Sequence, residues 1–147
     1  MGTDYTHNAI PMRYLAIDYG LKQTGFAICD PTETFCSPLS VHAGQKGLLE
    51  KIVELVKAES IGGVVMGLPL NMDDSAGPQA KLVTLFTERL KQLIEVPVYF
   101  QDERLSTFAA KEKLAGTELT RGKKKKRLDA IAAAEILSAF LEQKHAQ

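Results

Sequence analysis

Three short apolar segments follow one another near the start of the chain, joined by links too short to hold a helix. Tyr14-Leu15-Ala16-Ile17 runs into Asp18 and breaks at Tyr19-Gly20, and Gly25-Phe26-Ala27-Ile28-Cys29 ends at Asp30-Pro31. Phe35 to Val41 is a weaker third segment, interrupted by Pro38. Strands connected this tightly favour an antiparallel meander. The period then changes. Leu48, Ile52, Leu55, Val56 and Glu59 follow helical spacing, with Leu49 and Val53 widening the apolar face before Gly62-Gly63. Val64 to Gly67 reads as a buried strand, and Gly77-Pro78 opens a helix with core face Leu82, Leu85, Phe86, Leu90, Leu93 and Ile94. Pro97 to Gln101 is a fifth strand. Ser106 or Thr107 can cap a helix running to Leu114, and Asp129 opens a last helix through Ile131, Ala134, Ile136, Leu137, Phe140 and Leu141. A meander followed by two helical crossovers predicts an α/β fold, a mixed five-stranded sheet with helices on both faces.

The 147 residues suffice for one domain and are too few for two ordinary ones. A hydrophobic share of 45% with 24% charged residues excludes a disordered chain. No apolar run approaches the roughly 20 residues of a membrane-spanning helix. Residues 1–11 are polar, without the grammar of a secretory signal, so the expectation is a flexible extension before a single domain over 12–147. Cys29 and Cys36 fit buried thiols in a reducing cytoplasm.

Net charge is zero, and the zero hides an asymmetry. Six of the 18 basic residues, Arg121, Lys123, Lys124, Lys125, Lys126 and Arg127, fall within seven positions. An otherwise acidic body with one concentrated basic segment points to a polyanion met at a defined place. Gly122 and the repulsion between neighbouring cations predict a mobile loop there, ordered on binding.

Asp18 leaves the end of the first strand beside glycines, where backbone can approach a phosphate or a metal. Asp102-Glu103-Arg104 leaves the fifth strand in the same way. Parallel strands deliver their C-terminal ends to one sheet edge, where ligands of open α/β folds bind. Asp129 either caps its helix or faces that edge. Three carboxylates without a histidine or cysteine partner suit Mg²⁺ or Mn²⁺, and two such ions can support attack on a phosphodiester. Gly67 to Asn71 follows the fourth strand at the same edge, and Asp73 and Asp74 in that loop are further candidate ligands, although acids in a polar loop are more often solvated.

These motifs together resemble the YqgF (RuvX) family of bacterial proteins, described as Holliday-junction-resolvase-like and as pre-16S rRNA nucleases. The matching stretches are Asp18-Tyr-Gly-Leu-Lys-Gln-Thr-Gly-Phe-Ala27, Gly67-Leu-Pro-Leu-Asn-Met-Asp73, Asp102-Glu-Arg-Leu-Ser-Thr107 and Asp129-Ala-Ile-Ala-Ala-Ala134. The resemblance implies an RNase H-like sheet ordered 3-2-1-4-5. It also implies a metal-dependent nuclease with catalytic and metal-binding Asp18, Glu103 and Asp129, Asp102 standing beside Glu103 as an alternative ligand. Lys22, Asn71, Arg104, Arg121, Lys123, Lys124, Lys125, Lys126 and Arg127 are the expected nucleic-acid contacts. Gln23 stands where the family often has Arg, and Asp74 where it often has Gly. In that strand order the fifth strand lies about 9–10 Å from the first, so Glu103 must reach inward.

The leading expectation is a nuclease on structured nucleic acid, a pre-rRNA or branched DNA, acting as a monomer or weak homodimer. It would process the 5′ end of pre-16S rRNA, with Holliday junction resolution as the alternative. Two readings of other classes are a non-catalytic RNA- or ribosome-binding factor and a relative of the actin-like ATPases. The chain is too short for the second domain the latter needs.

Overall fold

The computed structural model describes residues 11–105 and 121–146. The expected N-terminal extension and the expected helix to Leu114 fall outside them, as do the side chains at 105 and 121–128. Strands β1 (Tyr14–Asp18), β2 (Gln23–Cys29) and β3 (Cys36–Ala43) form the antiparallel meander. Helix α1 (Leu48–Ala58) leads to β4 (Gly63–Leu68), and α2 (Pro78–Lys91) leads to β5 (Val98–Asp102). Both later strands run parallel to β1, giving the order β3-β2-β1-β4-β5. A 3-10 turn, Glu103–Leu105, follows β5, and α3 (Arg121–His145) is the last helix.

Alternation along β1 separates two cores. Leu15 and Ile17 face α1 and α2, packing with Ile52, Val64, Met66, Phe86 and Leu90. Tyr14 and Ala16 face α3, packing with Val65, Ala133, Ile136, Leu137 and Phe140. Pro38 is accommodated because β3 is an edge strand and the register shifts opposite it, between Phe26 and Ala27. The face of α2 differs from expectation. Leu85 and Leu93 are 65% and 52% exposed, and the buried stripe is Ala80, Val83, Phe86, Thr87 and Leu90. Thr87 fits because its hydroxyl donates to the Val83 carbonyl at 2.8 Å.

The basic segment is also not the expected loop. Helix α3 begins at Arg121, so Asp129 lies about two turns inside it and is no N-cap. Lysine and arginine are good helix formers, and the docked stretch from Ala130 to Leu141 already supplies the costly nucleus. Extending that helix upstream costs little, since propagation adds one hydrogen bond for each residue fixed.

The opposite end of α3 is latched by a buried charge. Glu33, in the β2–β3 turn at φ 62°, has a side chain only 3% exposed. Its Oε2 accepts from Lys144 Nζ at 2.7 Å and from the Met12 amide at 2.8 Å, and its Oε1 from His145 Nε2 at 2.9 Å. Burial pushes the carboxyl pKa up, but the hydrogen bonds from Lys144, His145 and Met12 outweigh it and hold the group below its ordinary value. The Lys144 ammonium also lies 5.0 Å from the centre of the Tyr14 ring.

Candidate active site at the C-terminal sheet edge

Register decides what surrounds Asp18. Gly25 of β2 stands directly opposite it. On the other side Gly67 of β4 follows Met66, the partner of Ile17. Asp18 is thus flanked on both neighbouring strands by residues without a side chain, and each gap is filled from elsewhere. A Cβ on Gly25 would fall 2.1 Å from the backbone oxygen of Asp129, so the glycine is what lets α3 press that peptide onto β2. A Cβ on Gly67 would fall 2.9 Å and 3.1 Å from Cγ and Cδ of Glu103, and 2.6 Å from Cδ1 of Ile136. The Glu103 side chain therefore folds back across β4 into the space beside Asp18. A residue that follows β5 is in this way brought inward by one strand, over the glycine that stands next to Asp18.

Asp18, Glu103 and Asp129 thus share one edge of the sheet on its α3 face. Oδ2 of Asp129 is buried there. Among the described residues, no three His, Cys, Asp or Glu side chains are gathered closely enough to hold an ion as they stand. The donor chemistry still fits a hard divalent cation, because the groups brought together at this edge are carboxylates.

The neighbouring acids are differently engaged. Both oxygens of Asp102 accept from Arg104: Nε donates at 3.0 Å to each, Nη2 to Oδ2 at 2.6 Å, and the Arg104 amide to Oδ1 at 2.9 Å. The Arg104 guanidinium accordingly holds the Asp102 pKa below the usual carboxylate value. Asp73 accepts from the Ser75 hydroxyl at 2.6 Å and the Ser75 amide at 3.0 Å, which lowers its pKa as well. Arg104 also reaches the 71–74 loop, donating through Nη1 to the Asn71 carbonyl at 2.8 Å and through Nη2 to Asp74 at 2.8 Å. Asn71 donates its amide side chain to Ser75 Oγ at 3.0 Å.

On the other flank, the turn after Asp18 hangs from two glutamines that sequence reasoning missed. Gln45 Nε2 donates to the Gly20 and Leu21 carbonyls at 3.0 Å each, and its Oε1 accepts from the Tyr19 hydroxyl at 2.7 Å. Gln79 donates to the Tyr19 carbonyl at 3.3 Å. The Lys22 carbonyl accepts from the Gly44 amide at 2.8 Å, leaving an exposed Lys22 on a fixed backbone beside the acids. No local pattern marks either glutamine, since their partners lie 24 to 60 positions away. The six basic residues from Arg121 to Arg127 occupy the α3 turns immediately before Asp129.

Comparison with known proteins gives the chain a family. A family model described as "RuvX: Holliday junction resolvase" matches residues 12–143. A Roseiflexus sp. protein called "Putative pre-16S rRNA nuclease" is 37% identical, covering 90% of this chain and 95% of its own length. A Caldanaerobacter subterraneus protein of the same name is 41% identical, over 89% and 96%. In three dimensions the fowlpox virus Holliday junction resolvase superposes with a TM-score of 0.52 at 17% identity, covering 90% of this chain and 99% of that one. At that identity the likeness speaks for the RNase H-like fold alone. The match over residues 12–143, together with two relatives above 30% identity across nearly their whole length, places the chain in the RuvX family.

Proposed function

We propose that this chain is a nuclease that hydrolyses phosphodiester bonds in structured nucleic acid, with the 5′ end of pre-16S rRNA as its substrate. The observation that carries this reading is the filling of the two glycine gaps around Asp18, one by the Asp129 peptide and one by Glu103. Carboxylates carried to one edge by separate elements repel one another as they approach, and a divalent cation would compensate them. The set is Asp18, Glu103 and Asp129. Asp102 is set aside because Arg104 occupies both its oxygens, and Asp73 because Ser75 holds it in the loop. Mg²⁺ or Mn²⁺, one ion or a pair, held by these residues would supply Lewis acidity toward the phosphodiester and lower the pKa of the attacking water.

The chain's own residues supply the rest. Lys22, on its braced turn, and the basic turns of α3 flank the acids and balance the phosphate charge brought against them. The relatives' name favours a ribosomal precursor in the cytoplasm. The family description favours a four-way junction, which would call for a symmetric dimer making paired cuts.

The deciding experiment incubates the full chain with a pre-16S rRNA fragment and with a four-way DNA junction, each in Mg²⁺, Mn²⁺ or EDTA. Cation-dependent cleavage of the RNA at a defined position is expected. Paired nicks in the junction alone would move the assignment to resolution, and binding without cleavage of either would make the chain a non-catalytic factor.

Salt dependence tests the basic turns separately. Replacing Lys123 to Lys126 by Ala should flatten the slope of log affinity against log salt by up to about three, if each lysine meets one phosphate. Alanine is a better helix former than lysine, so Tm should hold or rise slightly. An unchanged slope would remove these lysines from the interface.

A further inference from the structure

Arg104 was expected to hold nucleic acid, and its surroundings give it another task. Its guanidinium meets two carboxylates and two carbonyl groups of its own chain: Asp102, Asp74, and the backbone oxygens of Asn71 and Met72, the last at 3.5 Å. A phosphate could reach this fork only by displacing bonds already made. Beneath the fork, Asp102 Oδ1 accepts the Arg104 amide, a side-chain turn that spans Glu103 and sets the backbone from which its side chain departs.

The other arm grips a loop that is braced throughout. Asn71 and Ser75 join through amide to carbonyl at 2.9 Å, the Asp74 amide returns to the Asn71 carbonyl at 2.9 Å, and Leu70 bridges Ala76. Asp74 holds φ +70°, a conformation that favours glycine, with its carboxylate on Arg104.

We propose that Arg104 is a positioning residue that joins Glu103 and the 70–76 loop into one unit at the acidic edge and does not itself contact the substrate. The inference deepens the nuclease reading and rests on it for the role of Glu103. The clamp itself is independent of that reading. Replacement by lysine keeps the charge but loses the planar fork, which separates the two tasks of this residue. A phosphate contact would survive the exchange in large part, and a bracket would not.

The test compares the full-length chain with Arg104→Lys, Arg104→Ala and Asp74→Gly in three measurements. Hydrogen exchange at the Asn71 and Asp74 amides should speed up at least tenfold in both Arg104 variants. It should speed up less in Asp74→Gly, which removes one carboxylate and relieves the left-handed backbone. The salt slope for binding a labelled RNA hairpin should stay unchanged in Arg104→Ala. Cleavage of pre-16S rRNA in Mn²⁺ by Arg104→Lys should fall at least tenfold in kcat, with KM little altered.

Unchanged exchange in both Arg104 variants would overturn the bracket. So would a salt slope flattened by about one with loop protection intact, since that is the signature of a lost phosphate contact. A wild-type chain inactive in either metal would end the nuclease reading instead, and exchange would still decide the bracket.

Discussion

Asp18→Asn is expected to lower cleavage at least a thousandfold, about 4 kcal/mol of transition-state stabilisation, while the fold and nucleic-acid binding persist. The substitution keeps size and removes one charge from the crowded edge. Two consequences separate it from a folding defect. Tm should hold or rise, because a repulsion between neighbouring carboxylates is relieved. Affinity for a labelled RNA hairpin without divalent cation should hold or increase, because one negative charge no longer faces phosphate. Single-turnover cleavage and a binding titration on the same preparation measure both. Glu103→Gln and Asp129→Asn should behave alike, and a variant that keeps turnover would drop out of the proposed set. Full turnover in Asp18→Asn would remove the centre of the site.

The second large effect is at the other end of α3. Glu33→Gln leaves the Lys144 ammonium, whose side chain is 5% exposed, without its anion. Removing one member of a buried pair costs about 3–5 kcal/mol. For a chain of this size even the lower figure lowers Tm by roughly 6–12 °C. The double variant Glu33→Gln, Lys144→Met should recover part of the loss, because an apolar side chain needs no counter-charge there. A fall well under 1 kcal/mol would show that the pair is not buried in solution.

The same latch sets an acid limit. The folded pKa of Glu33 lies below its unfolded value, so its stabilisation is fully present above the unfolded value, near about 4.3, and is lost as pH falls through the lower folded one. Thermal melts of wild type and Glu33→Gln should therefore converge on acidification, from the wild-type side.

The meander and the parallel crossovers were legible because short links force the one and helix-length insertions the other, while the strand order was implied by the family resemblance. Gly25 and Gly67 were visible as strand glycines, but only register reveals that both flank Asp18, and so how Glu103 comes within reach. The start of α3 was misread because repulsion within Lys123 to Arg127 was weighed without the docked helix that nucleates it. The cap stood open as one of two readings of Asp129 for the same reason. Glu33 carried no signal in a polar turn, since its ammonium partner lies 111 positions further on. Arg104 was read as a nucleic-acid contact, because a motif names a guanidinium without naming the Asp102, Asp74 and Asn71 groups that it holds.

One helix carries Asp129 near one end and the partners of Glu33 at the other, so the acidic edge and the latch stand or fall together. Pairing across 111 positions is among the slowest contacts for a chain to find, because a long loop must close first. The meander can hence assemble as an inert scaffold, with Asp18 in place and no companion acid from α3. On the proposed site, cutting would need α3 docked, and undocking this one helix would remove Asp129 and uncover the core that it forms with Tyr14, Val65 and Tyr99.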